Sequence, residues 1–127
     1  MKNTNMKTLL ITMIFCIFFT FMCKPETEES AYKYLPGTYV TTQESGCHVT
    51  ITLTKTTNGI RYKIKGKKIH KTGMLKIYEN YLNYGDFETE ITDPSKGLLT
   101  LQNYGNSMNP FHHIKECDVK YLKFYKQ

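Results

Sequence analysis

The sequence predicts an all-β protein, a small antiparallel meander that forms a barrel or a compact sandwich after an N-terminal hydrophobic leader helix. Composition is the first observation, because 10 Tyr, 7 Phe and many Thr and Ile favour strands. The second is the short-range alternation of apolar and polar residues, without a sustained helical period. The third is the set of turn-forming residues between these runs, which is typical of consecutive antiparallel strands.

Residues 1–22 are predicted to be a signal or anchor segment. Lys2 and Lys7 place positive charge before residues 9–22, a run of apolar side chains interrupted by Thr. This is the plan of a secretory leader, and the run is short for a helix that crosses a membrane. We therefore expect an exported, membrane-anchored protein on the periplasmic or cell-surface side.

Cys23 directly follows the apolar run and is the predicted lipidation site. In the lipoprotein route this cysteine is acylated, and the lipid holds the protein at a membrane. Met22 is larger than the small residue expected at that position, so an uncleaved anchor is the alternative. Residues 23–34 include an acidic stretch and are predicted to be a tether, and residues 35–127 are predicted to be a single β domain.

Seven or eight strands are predicted in that domain, and one hairpin is the clearest. Apolar side chains alternate over residues 47–54 and again over 60–65, and Asn58-Gly59 between them is a tight-turn signal. Gly37-Thr38-Tyr39 is similar to the Gly-x-Trp motif that opens lipocalin-like barrels, which slightly favours a barrel. The other strands are predicted at residues 38–41, around 69, and at 75–77, 87–91, 98–102 and 119–125.

Cys47 and Cys117 are the cysteines of the predicted domain, and in an exported chain such a pair indicates a disulfide. The bond would join the second strand to the start of the last. A metal site that uses His48, His112 and His113 is the alternative, but the ligand spacing of metal sites is missing. We expect neither a metal nor a cofactor.

The strongest charge feature is a row of cations in the middle of the chain. Alternate residues of a strand share a face, so Arg61, Lys63 and Lys65 are predicted to form a stripe that Lys76 joins from the next strand. Such a stripe binds anionic lipid or acidic glycan, although a solvated face has the same composition. We predict no specific nucleic-acid partner.

No motif for a nucleophile, a catalytic metal or a phosphate loop is present, so no enzyme is predicted. Glu88 and Glu90 fall on one face of a predicted strand. Paired carboxylates carry out acid–base chemistry only in a cleft that separates their pKa values. We expect these two to be ion-pair partners of the basic strands.

Near the C-terminus the sequence contains Q-N-Y-G-N-S-M-N at residues 102–109 and E-C-D-V-K-Y at residues 116–121. These motifs resemble those of a group of small uncharacterised exported lipoproteins of Gram-negative bacteria, which carry Q-N-Y-G-N-x-M-N and then E-C-D-x-K-Y. The resemblance covers the last part of the chain. It implies a protein of the cell envelope and brings no activity with it.

The first of these motifs is a polar loop, and polar loops on a rigid sheet are a usual place for recognition. Asn103, Tyr104, Asn106 and Asn109 are therefore the candidate binding residues, although asparagines also shape long connections. The sequence predicts a non-catalytic binding protein of the bacterial envelope that recognises another envelope or extracellular protein. The alternative is a lipocalin-like carrier of a small apolar or anionic ligand.

Overall fold

A computed structural model describes residues 33–127 of the chain. The predicted signal or anchor segment at residues 1–22, the predicted lipidation site Cys23 and most of the predicted tether lie outside the described residues. Within the described part of the chain, no helix is long and apolar enough to cross a membrane.

Residues 33–127 contain nine strands in a single antiparallel sheet. The strands are β1 Gly37–Thr41, β2 Thr50–Thr56, β3 Gly59–Lys65, β4 His70–Met74, β5 Lys76–Tyr78, β6 Tyr81–Asn83, β7 Glu88–Asp93, β8 Leu98–Gln102 and β9 Tyr121–Lys126. Their order in the sheet is β4-β3-β2-β1-β9-β8-β7-β6-β5. Two 3-10 turns, Gln43–Ser45 and Pro94–Lys96, follow β1 and β7.

This sheet curls into a nearly closed barrel. β1 pairs with β2 on one side and with β9 on the other, so the first and last strands are neighbours. β4 and β5 stand at opposite ends of the strand order, yet only Leu75 separates them in the chain. The chain itself therefore connects the two edges of the sheet. The all-β prediction is confirmed, and the architecture is a barrel rather than a sandwich.

The predicted hairpin is present as β2 and β3. The side chains of Val49, Ile51 and Leu53 are buried, and Ile64 and Tyr62, which pair with Ile51 and Leu53 from β3, are buried too. The turn lies where the Asn-Gly pair predicted it, and the cations of β3 are exposed on the outer face. Period-two alternation therefore assigned the inner and outer faces of this hairpin correctly.

Nine strands exceed the seven or eight predicted, because β4 and the three-residue β6 give weak signals. β4 contains Gly73, which pairs with Tyr62 of β3. A Cβ atom at Gly73 would lie 2.7 Å from Tyr62 Oη, so the ring covers the glycine. The same hydroxyl donates to the carbonyl of Tyr84 at 2.8 Å. Tyr62 thus bridges the seam between the two edges and packs over β4, which pairs with β3 along its whole length.

Because neighbouring strands are antiparallel, the connections gather at two ends of the barrel. We call one the loop end, and it contains residues 42–49, 66–69, 84–87 and 103–120. We call the other the pocket end, and it contains residues 57–58, 79–80 and 94–97, the residues before β1 and the C-terminus.

Inward-facing side chains fill most of the barrel. Tyr39, Tyr84 and Phe124 are among the largest fully buried ones. Ile114 and Cys117, from the long connection between β8 and β9, are also completely buried. This connection therefore covers the loop end, and the pocket end is the more open of the two.

Candidate functional site

A pocket of about 500 Å³ lies at the pocket end. Its apolar lining includes Leu35, Tyr39, Ile91 and Leu99, contributed by the segment before β1 and by β1, β7 and β8. Leu35, Tyr39 and Leu99 are buried, so the packing around them fixes their positions. Lys126, near the C-terminus, adds a cation to the lining.

The position of Lys126 follows from the alternation of β9. Leu122 and Phe124 point inward and are completely buried, and Lys126 continues the same face to the end of the strand. It pairs with Tyr39 of β1, and its ammonium lies 5.9 Å from the centre of the Tyr39 ring. Lys126 is itself exposed, so the end of the strand places a charge at the edge of the apolar surface.

Two glycines make room for this lysine. A Cβ atom at Gly37 would lie 2.5 Å from Lys126 Cε, and one at Gly97 would lie 2.6 Å from Lys126 Cβ. The backbone N–H of Lys126 also donates to the carbonyl of Gly97 at 3.0 Å. The aliphatic part of the Lys126 side chain therefore passes between two glycine residues, which have no side chain to block it.

Cations predominate at the edge of the pocket. Lys126 Nζ donates to the carbonyl of Tyr34 at 2.6 Å, and Lys96 Nζ lies 3.4 Å from the carboxylate of Asp93. Asp93 also accepts from the hydroxyl of Ser95, which together with the backbone N–H of Lys96 holds the pKa of Asp93 below its usual value. The edge thus carries two ammonium groups, one of which has a carboxylate neighbour.

Tyr39 is the polar group deepest in the lining. Its hydroxyl donates to the carbonyl of Leu35 at 2.8 Å, and burial raises its pKa to about 12. The phenol is therefore neutral at physiological pH, and its proton is committed to a backbone oxygen. Tyr39 contributes shape and apolar surface to the pocket rather than proton transfer.

The predicted binding loop lies at the other end of the barrel, and its members have different environments. Asn103 is completely buried. Its side-chain amide donates to the carbonyls of Ile114 and Cys117 at 3.2 and 2.8 Å, and its side-chain oxygen accepts from the N–H of Ile114 at 2.8 Å. Asn103 therefore holds the long connection onto the barrel from inside, where no partner reaches it.

Asn106 and Asn109 are exposed. The side-chain oxygen of Asn106 accepts from the backbone N–H groups of Met108 and Asn109 at 3.0 and 2.9 Å, which fixes a tight turn. The Tyr104 ring packs edge-on against a histidine and, with Asn106, lines a shallow depression of about 560 Å³. Tyr104 and Asn106 are brought together, while Asn109 is outside that lining, and binding by this loop stays a prediction.

The predicted disulfide between Cys47 and Cys117 is present, with the two Cα atoms 5.1 Å apart. It joins the connection before β2 to the long connection before β9, so it closes the loop end covalently. Within residues 33–127 no group of three or more His, Cys, Asp or Glu side chains is arranged to hold a metal.

The predicted cationic stripe is placed on the outer face of β3. Arg61, Lys63 and Lys65 are exposed there and alternate with the buried residues of the strand. Lys76 is exposed in β5, which follows β4 and does not pair with β3. Its partner across the sheet is Asn83 of β6. The strand therefore holds three of the predicted cations in one row, and the fourth lies beyond the row.

Sequence reasoning missed the pocket, and a signal for one of its residues was present. Lys126 falls on the same alternating face as Leu122 and Phe124, so a cation on a core face could have been noticed. The contributions of Ile91 and Lys96 depend on the β7–β8 hairpin, which the sheet places beside β9. No family model matches the chain, and neither a curated protein nor a solved structure is similar to it.

Proposed function

We propose that the domain is a non-enzymatic binding protein that holds a small apolar ligand with a negatively charged group at the pocket end. One observation carries the proposal: an apolar pocket of about 500 Å³ with the exposed Lys126 at its edge. Pockets for small ligands commonly measure roughly 300–1,000 Å³ and combine apolar walls with a few polar groups.

Lys126 supplies the polar group that would orient such a ligand. An ammonium has three N–H donors. Among the described residues Lys126 uses one of them, on the carbonyl of Tyr34, which leaves two for an anionic group. Leu35, Ile91 and Leu99 would contact the apolar body, and each Å² of apolar surface removed from water contributes about 25 cal/mol.

Decanoate and 1-decanol test this proposal, because they share a chain length and differ in charge. Isothermal titration calorimetry on the purified chain should give tighter binding of decanoate. Lys126→Met keeps an unbranched apolar stem without the charge, and it should remove the preference for decanoate. Lys123→Met changes an outward-facing lysine of the same strand and should leave the preference intact. Absence of saturable binding of either molecule would refute the proposal.

Recognition of another envelope or extracellular protein is the second candidate function. Tyr78 and Tyr81 favour it, because they pair across β5 and β6 and are 55% and 42% exposed. Tyrosine is enriched where proteins meet partners. Capture of one protein from envelope extract by the wild-type chain, but not by a Tyr78→Ser, Tyr81→Ser variant, would support this function over the small-ligand one.

We also propose that the protein is exported and held at a membrane through Cys23. The leader pattern supports this, and the disulfide is compatible with an oxidising compartment. Lipidation predicts a mass gain on the mature chain and membrane association that Cys23→Ser abolishes. A Cys23→Ser variant that stays in the membrane at unchanged mass would instead support an uncleaved anchor.

A further inference from the structure

Charge is segregated along the barrel. Residues 59–78 contain seven Lys or Arg and no carboxylate, whereas residues 79–93 contain five carboxylates and neither Lys nor Arg. The cations of the first segment are Arg61, Lys63, Lys65, Lys67, Lys68, Lys71 and Lys76. Because β3 and β4 belong to the first segment and β6 and β7 to the second, one side of the barrel is basic and another is acidic.

The centre of the basic side is the outer surface of β2, β3 and β4, which we call the basic face. Its middle row is Arg61, Lys63 and Lys65. Alternate residues of a strand lie roughly 7 Å apart, so the row is about 14 Å long. Residues in register on the neighbouring strands complete the face, namely Thr50, Thr52 and Thr54 on β2 and His70, Thr72 and Met74 on β4.

Carboxylates of the protein do not neutralise this row. Among residues 33–127 the ion pairs are Lys71 with Asp86 and Lys96 with Asp93. The expected ion pairs of the two glutamates of β7 are not formed, because their carboxylates accept from asparagine amides instead: Glu88 from Asn83 at 2.8 Å and Glu90 from Asn80 at 3.1 Å. The row therefore presents its charge to solvent.

Glu116 is the acid at one end of the basic face, and it is already engaged. Its carboxylate accepts from the backbone N–H groups of Lys67, Lys68 and Ile69 at 2.7–3.1 Å. These bonds hold the turn between β3 and β4. Glu116 therefore shapes the end of the face without reaching along the row.

Edge protection does not explain the row. Lysines on exposed edge strands discourage pairing with other chains. β3 is an interior strand, paired along its length with β2 and β4, so it has no free edge to protect. The cations of β3 are therefore exposed and available to a ligand of opposite charge.

We propose that the basic face binds a linear acidic polysaccharide. The row is narrow and about 14 Å long, so a chain that runs along β3 can contact its three cations in turn. The threonine hydroxyls of β2 can exchange hydrogen bonds with sugar hydroxyls beside the charged contacts. The nine outward side chains of the basic face include no Phe, Tyr or Trp, and single-stranded nucleic acid relies on such rings for base stacking.

Heparin, a linear sulfated polysaccharide, is the probe, titrated into the full chain at 50 mM and 200 mM salt. Binding should weaken as salt rises, because bound cations displace counterions from the polyanion. The variant Arg61→Gln, Lys63→Gln, Lys65→Gln should bind at least tenfold more weakly. Its matched control, Lys115→Gln, Lys120→Gln, Lys123→Gln, loses the same charge elsewhere and should stay within about threefold of wild type. Thermal unfolding should show both variants folded.

Three results would overturn the proposal. Equal weakening in the two triple variants would mean that net charge, rather than the basic face, attracts heparin. Tighter binding of double-stranded DNA, or of vesicles that contain phosphatidylglycerol, would assign the face to another polyanion. Absence of heparin binding at 50 mM salt would leave the face as solvated surface. None of these results bears on Lys126, so the small-ligand proposal is tested separately.

Discussion

At the loop end the chain is cross-linked and hydrogen-bonded to itself, whereas at the pocket end a lysine passes between two glycines beside a cavity. The loop end contains the Cys47–Cys117 disulfide and the buried side chain of Asn103. The pocket end has short turns and the contacts of Lys126. We infer that the two ends differ in role: the loop end stabilises the barrel, and the pocket end stays accessible.

The largest expected effect is on the disulfide. Replacing Cys47 and Cys117 by Ser should lower the free energy of unfolding by about 4 kcal/mol, because the bond links residues 70 positions apart. Urea denaturation of the oxidised chain measures the loss, and the reduced wild type should match the variant. If the double variant retained wild-type stability, the loop end would not be the stabilising end. Binding of decanoate by the folded fraction should change little.

Asn103→Ala should follow, with a loss of about 3 kcal/mol. The substitution leaves the buried N–H of Ile114 without its partner and removes the amide donor from the carbonyls of Cys117 and Val119, and buried unpaired groups are costly. Asn109→Ala is the matched control from the same motif, and it should cost less than about 0.5 kcal/mol because its side chain is exposed. Similar losses for the two variants would contradict the assigned role of Asn103.

Gly97 and Gly46 compare the two ends directly. Each follows a 3-10 turn in the left-handed conformation, with φ of 59° and 66°. A Cβ atom at Gly46 meets nothing within 4 Å, so Gly46→Ala should cost only the backbone strain of about 1 kcal/mol. Gly97→Ala should cost roughly 2 kcal/mol, because the new Cβ also displaces Lys126.

The decanoate titration extends this comparison. Gly97→Ala should weaken the binding of decanoate, because it moves the lysine that orients the ligand, and Gly46→Ala should not. Thermal denaturation measures the stability of both variants on the same preparations. If the two substitutions had the same effect on stability and on binding, Lys126 would not depend on the space beside Gly97.

The sequence predicted best the features that depend on residues close together in the chain. The β2–β3 hairpin follows from alternation and an Asn-Gly turn, and both act within about fifteen residues. The pairing of Cys47 with Cys117 also followed, because a domain with two cysteines has one way to pair them. β4 was harder, since His70–Met74 is polar and its strand is recognised by its pairing with β3, where Tyr62 covers Gly73.

The candidate site depends on contacts that the sequence order does not reveal. Lys126 could be assigned to an inward face, but the space for it comes from Gly37 and Gly97, which are far away in the chain. Asn103 and Asn106 belong to one polar motif, yet only the first is buried. A local pattern predicts that an asparagine shapes a turn, and it does not predict which asparagine lies under the loop.

The smallest expected effect concerns pH at the loop end and involves Glu116. Burial tends to raise the pKa of this carboxyl, but hydrogen bonds from the backbone N–H groups of Lys68, Lys67 and Ile69 outweigh it and lower the pKa below 4.5. A carboxyl whose pKa is lower in the folded state stabilises the fold above its unfolded pKa. That contribution is lost as the pH falls from about 4.5 through the folded pKa.

We therefore expect the stability of the wild type to decrease more than that of Glu116→Gln as the pH falls below about 4.5. The amide keeps an oxygen that can accept hydrogen bonds but has no proton to gain in this range. Glu44→Gln is the matched control, because Glu44 is an exposed acid of the same end, and its pH profile should follow the wild type. Urea denaturation at each pH measures the three profiles. If Glu116→Gln followed the wild type as well, the turn between β3 and β4 would not depend on the charge of Glu116. The acid sensitivity would then come from carboxylates elsewhere, such as Asp86 at its ion pair with Lys71.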